Sequence, residues 1–181
     1  HNNNEKENSG LSSKLNTYEA EYLVKLCKYI ILQGYKPEQI TLLTLYVGQV
    51  LEIRSWTKKL NLNVRVTSVD NYQGEENDFI LLSLVRSNSR YEIGFLKTFN
   101  RVCVAFSRAK LGLFVIGNID CIVKGEEKLR MKYPNDNTQM NEVWAKIKQK
   151  AEEKNIIGKQ LELVCQTHKK STLISTISDF A

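Results

Sequence analysis

Val64-Arg65-Val66-Thr67-Ser68-Val69-Asp70-Asn71-Tyr72-Gln73-Gly74-Glu75-Glu76-Asn77-Asp78, running into the apolar stretch Phe79 to Val85, is the part of the chain that decides the fold. Its second half is Asn100-Arg101-Val102-Cys103-Val104-Ala105-Phe106-Ser107-Arg108-Ala109-Lys110, which closes on another apolar run, Leu111 to Ile116. Two β-rich runs are thus each tied to a polar cluster. In an open α/β sheet, ligands bind beyond the carboxyl ends of the strands. The Gln-Gly-Glu-Glu segment after one strand, and an arginine on a helix leading into another, are therefore expected to meet at one edge. That is the geometry of half a nucleotide site.

Working outward, Val64 to Val69 and Phe79 to Val85 are predicted strands. So is Ile40 to Leu45, a short β-branched and leucine-rich run, and so is Leu111 to Ile116. Between them lie segments of helical period. Tyr18 to Gln33 carries Ala20, Leu23, Val24, Cys27, Ile30 and Ile31 at that spacing, with Asn16 or Thr17 as cap, Glu19 in the first turn and Gly34 as the stop. Val47 to Leu60 is the second helix, Thr98 to Lys110 the third and Asn118 to Val123 a short fourth. Lys124 to Thr138 reads as a surface excursion, and Met140, Val143, Trp144 and Ile147 as a final amphipathic helix. Alternating strands and helices give βαβ units, a mostly parallel sheet and helices on both faces. The first thirteen residues, rich in Asn, Glu, Lys and Ser, are predicted to be a disordered or extended linker. Residues 14–155 form the α/β domain and 156–181 a tail.

The 181 residues are enough for one domain with a real core. A hydrophobic fraction of 42% and a charged fraction of 25% are those of a globular protein rather than a membrane or disordered one. Net charge is +6, a mild basic excess compatible with a polyanionic partner or with an ordinary solvated surface. Cys27, Cys103, Cys121 and Cys165 are scattered, which reads as reduced thiols in an intracellular, cytoplasmic protein. No apolar run approaches the ~18 residues of a membrane span. The chain begins with His rather than Met and reads as a fragment of a longer protein.

Val-Asp-x-x-Gln-Gly-x-Glu-x-Asp … Leu-Ser-x-Val-Arg-Ser-Asn (from Val69) and Asn-Arg-Val-x-Val-Ala-x-Ser-Arg-Ala-Lys (from Asn100) resemble motifs V and VI of superfamily 1 helicases. The branch resembled includes the nonsense-mediated-decay helicase, and within it the NFX-type zinc-finger helicases linked to RNA silencing and antiviral defence. The likeness implies a RecA-like, P-loop NTPase-type sheet acting as the second lobe of a two-lobe motor. It implies ATP and Mg2+ shared with a preceding N-terminal RecA-like lobe, and single-stranded RNA or DNA as partner. By its place in Ser-Arg-Ala, Arg108 is the family's arginine finger; Gln73, Gly74 and Glu76 belong to the nucleotide cleft. Arg86, with Asn88, links that cleft to the nucleic-acid track, with a surface ion pair as the rival reading. Tyr46 and Gln49 resemble motif IV in the form Thr-x-Tyr-x-Gly-Gln. Leu45 stands where many relatives have Pro, and Cys103 where many have Asn.

Thr44, Thr67 and Ser68, at predicted strand ends, are candidate nucleic-acid contacts; backbone-bonded strand hydroxyls are the equal alternative. Cys165 and His168 resemble the opening of an NFX-type zinc-finger array, but two Zn2+ ligands are half of a structural site. The sequence holds no Gly-x-x-x-x-Gly-Lys-Ser/Thr phosphate loop and no paired Asp-Glu of the Walker B kind. The rival to an ATP-driven helicase lobe is a catalytically silent RNA-binding or scaffolding module.

Overall fold

A computed structural model describes residues 1–8, 10, 12–134, 142–165 and 168–180. Two short antiparallel strands, β1 (Lys6–Asn8) and β2 (Ser13–Leu15), precede helix α1 (Thr17–Leu32). Then come β3 (Ile40–Thr44), α2 (Val47–Lys59), β4 (Arg65–Ser68), β5 (Asn77–Ser83), α3 (Phe99–Phe106), β6 (Ala109–Ile116), α4 (Ile119–Lys132) and α5 (Val143–Glu153). A hairpin of β7 (Leu161–Val164) and β8 (Ser171–Ile174) follows.

The main sheet has four parallel strands in the order β4-β3-β5-β6. Its central strands β3 and β5 are buried on both faces, so successive residues of one strand serve different cores. Leu43, Ile80 and Leu82 face Val102, Ala105, Ile122 and Trp144 of α3, α4 and α5. Ile40, Leu42 and Leu81 face Ala20, Leu23, Val24, Cys27, Val50 and Ile53 of α1 and α2. Parallel strands covered on both sides read as unbroken apolar runs, which is why these were visible in the sequence. No helix among the described residues is long and apolar enough to cross a membrane.

Three sequence expectations need correction, and the tail makes contacts that no expectation covered. The N-terminal stretch expected as a disordered or extended linker is extended but not free: it pairs into β1–β2 and packs on the body, with Glu5 N–H bonded to Ser87 O at 3.0 Å and the Glu5 side chain 8% exposed against Arg86. The partners lie more than eighty residues away, so nothing local announces them. Helix α3 ends at Phe106, and Ala109 and Lys110 already belong to β6, pairing beside Asn77. Helix α4 continues to Lys132 through what was expected as a polar excursion; its apolar positions are few because only one stripe, with Cys121, Ile122 and Gly125, is covered. The end of that excursion and Met140 lie outside the described residues. Finally, the tail packs on α1: Leu163 and Ile174 join its core, and Phe180 meets Tyr22 edge-on at 5.1 Å.

α5 has an unusual start. Glu142 lies at φ 58° and makes no side-chain cap bond. The cap comes instead from α4, where buried Glu126 accepts the N–H groups of Trp144 at 3.0 Å and Ala145 at 3.1 Å. A carboxylate at a helix N-terminus also meets the positive end of the helix dipole.

Candidate functional site

The candidate residues separate into two groups at opposite edges of the sheet. After β4 the chain crosses one face through a 3-10 turn, Val69–Tyr72, and arrives at the start of β5. Gln73 at φ −72°, ψ 132° followed by Gly74 at φ 78° makes the central pair of a type II turn, which demands a residue that tolerates positive φ. Nothing lies within 4 Å of a Cβ built on Gly74, so glycine is needed there for its backbone angle, and the space above it is open.

Arg108 lies immediately after the C-cap of α3, in the connection to β6, and not on the helix as expected. Its Nη1 donates to Glu75 O at 3.3 Å, its Nε to Val104 O at 3.1 Å and its Nη2 to the Ser107 hydroxyl at 2.9 Å. In return Asn77 N–H donates to Arg108 O at 3.1 Å. The two motifs are therefore clamped together where β5 and β6 begin. They do meet at one edge, but at the amino edge rather than the carboxyl one. Among the described residues no carboxylate lies within ion-pair distance of Arg108. Its acceptors among the described residues are neutral carbonyl and hydroxyl oxygens.

Around it, Glu75 pairs with Arg65, and Glu76 with Lys110 at 3.0 Å. The Glu76 contact raises the Lys110 pKa. Gln73 is exposed, with no side-chain hydrogen bond among the described residues. Arg108, Lys110 with its Glu76 partner and the Gln73–Gly74 turn thus form a small polar ledge. No cluster of three or more potential metal ligands occurs among the described residues.

The other group lies about 20 Å away, a distance set by the rise of ~3.3 Å per residue along β5. Here the structure assigns packing roles. Gln49 is fully buried; its Oε1 accepts Asn16 N–H at 2.7 Å and its Nε2 donates to Asn16 O at 3.0 Å and Ser83 Oγ at 2.9 Å. Those bonds fill its side chain and leave nothing for a nucleotide. Tyr46 is 3% exposed, donating to Ile93 O and accepting from Phe95 N–H; burial, its largest influence, pushes its hydroxyl pKa up to about 12. Arg86, expected to link two sites at the surface, is 5% exposed, with Nη2 3.2 Å from Glu5 and Nε donating to Glu92 O at 2.7 Å. It forms an ion pair, but a buried one. Thr44 is wholly buried, its hydroxyl 3.4 Å from Tyr46 N, so the structure places it in the core rather than on an open track. Ser68 is nearly buried; Thr67 is half-buried.

One residue that the sequence reading treated as a helix-start acid turns out to be central. Glu19 is fully buried and accepts from Ser83 Oγ at 2.6 Å and Val85 N–H at 2.8 Å, while its other oxygen lies 2.9 Å from His1 Nε2. Asn16 Nδ2 donates to Val85 O at 3.3 Å and its Oδ1 caps α1 through Glu19 N–H. Both peptide groups of Val85 are thus held. Val85 needs holding: it sits at φ 69°, a left-handed conformation that a β-branched residue rarely adopts. The sequence signal was present, since Glu19 shares the apolar stripe with Leu23, Leu26 and Ile30. Burial raises its pKa to about 7.

At the tail, Cys165 Sγ and His168 Nδ1 are 3.4 Å apart across the β7–β8 turn. Two donors side by side fit part of a zinc site, which takes four.

A family model described as an AAA domain matches residues 1–120. The chain belongs to that family. Its relatives define the branch: the human NFX1-type zinc finger-containing protein 1 is 45% identical over 99% of this chain, covering 9% of its own length. The fission-yeast (Schizosaccharomyces pombe) helicase required for RNAi-mediated heterochromatin assembly 1 is 44% identical over 75% of this chain and 14% of its own. Regulator of nonsense transcripts 1 of Dictyostelium discoideum is 37% identical over 76% of this chain and 11% of its own. These relatives put the chain in the nonsense-mediated-decay-like branch of the superfamily 1 helicases, and its sheet is of the RecA-like α/β type. The chain spans about a tenth of the length of the relatives it matches.

Proposed function

We propose that this chain is the second RecA-like lobe of an ATP-driven helicase, presenting Arg108 to a nucleotide bound on a preceding lobe. The observation that carries this reading is the Arg108 ledge. A guanidinium with no carboxylate partner among the described residues is fixed by carbonyl and hydroxyl acceptors beside a left-handed Gly74 turn. Phosphoryl transfer gathers negative charge on the transferred group, and a pre-positioned arginine stabilises it without reorganisation at the moment of reaction. Gln73 and Glu76, beside that turn, would meet the ribose or neighbouring cleft groups. The phosphate cradle and Mg2+ ligands would come from the preceding lobe, for which this sequence has no motif. Closure on ATP and reopening after hydrolysis would then step the protein along a single strand.

RNA as the strand is supported by the relatives' names, among them the mouse RNA helicase aquarius, 40% identical over 58% of this chain. A role for Zn2+ in the tail is supported by the zinc-finger name of the human relative and by the adjacent Cys165 and His168.

The half-site reading is tested by comparing residues 1–181 with a longer protein carrying the preceding lobe. The chain alone is expected to show no ATP turnover and little or no nucleotide binding by calorimetry, while the longer protein hydrolyses ATP faster with single strand added. Strand-stimulated turnover from the purified chain alone would contradict it.

A further inference from the structure

The loop between β5 and α3, residues 87–98, is held from beneath at several points. Arg86 Nε donates to Glu92 O at 2.7 Å, the Tyr46 hydroxyl joins Ile93 O and Phe95 N–H at 3.3 and 3.2 Å, and Trp144 Nε1 donates to Leu96 O at 2.9 Å. The Cys121 thiol donates to Asn88 O at 3.4 Å. Ile93 and Leu96 are buried, and a Cβ on Gly94 would fall 2.6 Å from the Tyr46 hydroxyl oxygen. Above this floor two rings stay in solvent, Tyr91 at 39% and Phe95 at 47% exposure. Each has a cation over its face: Lys124 Nζ at 5.3 Å from the Tyr91 ring, and the Arg101 guanidinium at 4.8 Å from the Phe95 ring.

A single exposed aromatic needs no explanation. Two on one rigid loop, each beside a cation, form a surface with two properties at once. The rings offer flat apolar faces at little ordering cost, because the loop beneath is already fixed. The cations exceed what the nearby acids neutralise. Lys97, Lys124 and Lys128 have no carboxylate within ion-pair distance among the described residues; Arg90 pairs with exposed Glu92, and Arg101 with Asp70. Asp70 lies two residues beyond Ser68, so the Phe95–Arg101 pair adjoins the end of β4, where Thr67 and Ser68 sit. A ligand that uses both properties is a polyanion whose repeating units carry π-faces.

We propose that this loop is a stacking platform for a single-stranded nucleic acid, with Phe95 and Tyr91 taking bases and Arg101, Lys124 and Lys97 following the phosphates. The proposal rests on the helicase-lobe reading and deepens it, naming groups that hold bases. Stacking is sequence-tolerant and draws on ring faces rather than on apolar volume. Leucine in place of Phe95 keeps most of the volume and loses the face; tryptophan keeps the face.

The test is fluorescence anisotropy of a short labelled oligouridylate, with an oligothymidylate as the DNA arm, on the longer protein that contains this chain. Phe95→Leu and, independently, Tyr91→Leu are each expected to weaken binding of both probes about tenfold, while Phe95→Trp keeps it. Lys124→Gln is expected to lower the slope of log affinity against log salt by about one. Both leucine changes are at exposed side chains, and an unchanged melting temperature assigns the loss to the ring. Wild-type protein that binds the probes, with both leucine variants binding equally well, overturns the platform and leaves the helicase reading standing. Wild-type protein with neither probe binding nor strand-stimulated turnover removes both. Leucine variants that bind the probes normally but lose a protein partner would make this a protein-docking surface and overturn the proposal.

Discussion

At the scale of single residues, burial decides more than motif membership does. Gln49 and Arg86 look functional by their neighbours in sequence, yet their polar atoms are spent on Asn16, Ser83, Glu5 and Glu92. Arg108 is the reverse case: among the described residues, the groups that hold it are neutral. Glu19 carries a pH prediction. Burial, the largest influence, raises its pKa from an ordinary 4.5 to about 7, so between those values the folded protein holds a proton that the unfolded chain has released. Stability is therefore full below the unfolded value and falls as pH rises towards 7, by up to about 3 kcal/mol if this group acts alone. Glu19→Gln, which mimics the protonated acid, is expected to flatten that slope and to melt no lower than wild type at pH 7 in pH-dependent thermal unfolding. A Gln variant with the wild-type slope would mean that Glu19 is not the group responsible.

At the scale of elements, the loop after β5 and the start of α5 depend on contacts made across the fold. Glu126→Ala would leave two helix-terminal N–H groups without their acceptor, one of them buried, and is expected to cost about 2–4 kcal/mol in denaturant unfolding. Gly125→Ala should also destabilise strongly, because its Cβ would run into Ile93 and the Tyr91 carbonyl. Loss of less than 0.5 kcal/mol in either variant would show that α4 does not fasten this region. The strands and α1 and α2 were legible in the sequence because each carries its own period or apolar run. The N-terminal hairpin was not, since Glu5 is explained by Arg86 and Ser87, and no local pattern encodes that pairing. The extension of α4 was hidden by its mostly solvated surface. The ledge was half legible: motif spacing identified Gly74 and Arg108, but their meeting at the amino edge follows from where the chain crosses the sheet after β4.

At the scale of the whole molecule, the two edges of the sheet proposed for function are separated by the length of β5. The amino edge carries the Arg108 ledge, the proposed nucleotide side. The carboxyl edge carries the pinned loop with Phe95 and the strained Val85, the proposed strand side. β5 joins the two directly, being bonded to β6 beside Arg108 at one end and to Glu19 at the other. In the proposed motor lobe this strand would link the nucleotide side to the strand side, with Arg108 at the nucleotide end. The direct measurement is steady-state ATP hydrolysis, with nucleotide affinity measured in parallel, for the longer protein bearing Arg108→Ala or Arg108→Lys. The account predicts turnover lower by about 10³-fold or more in the alanine variant, little recovery in the lysine variant, near-normal ATP affinity and an unchanged melting temperature. Unchanged turnover in both variants would contradict it.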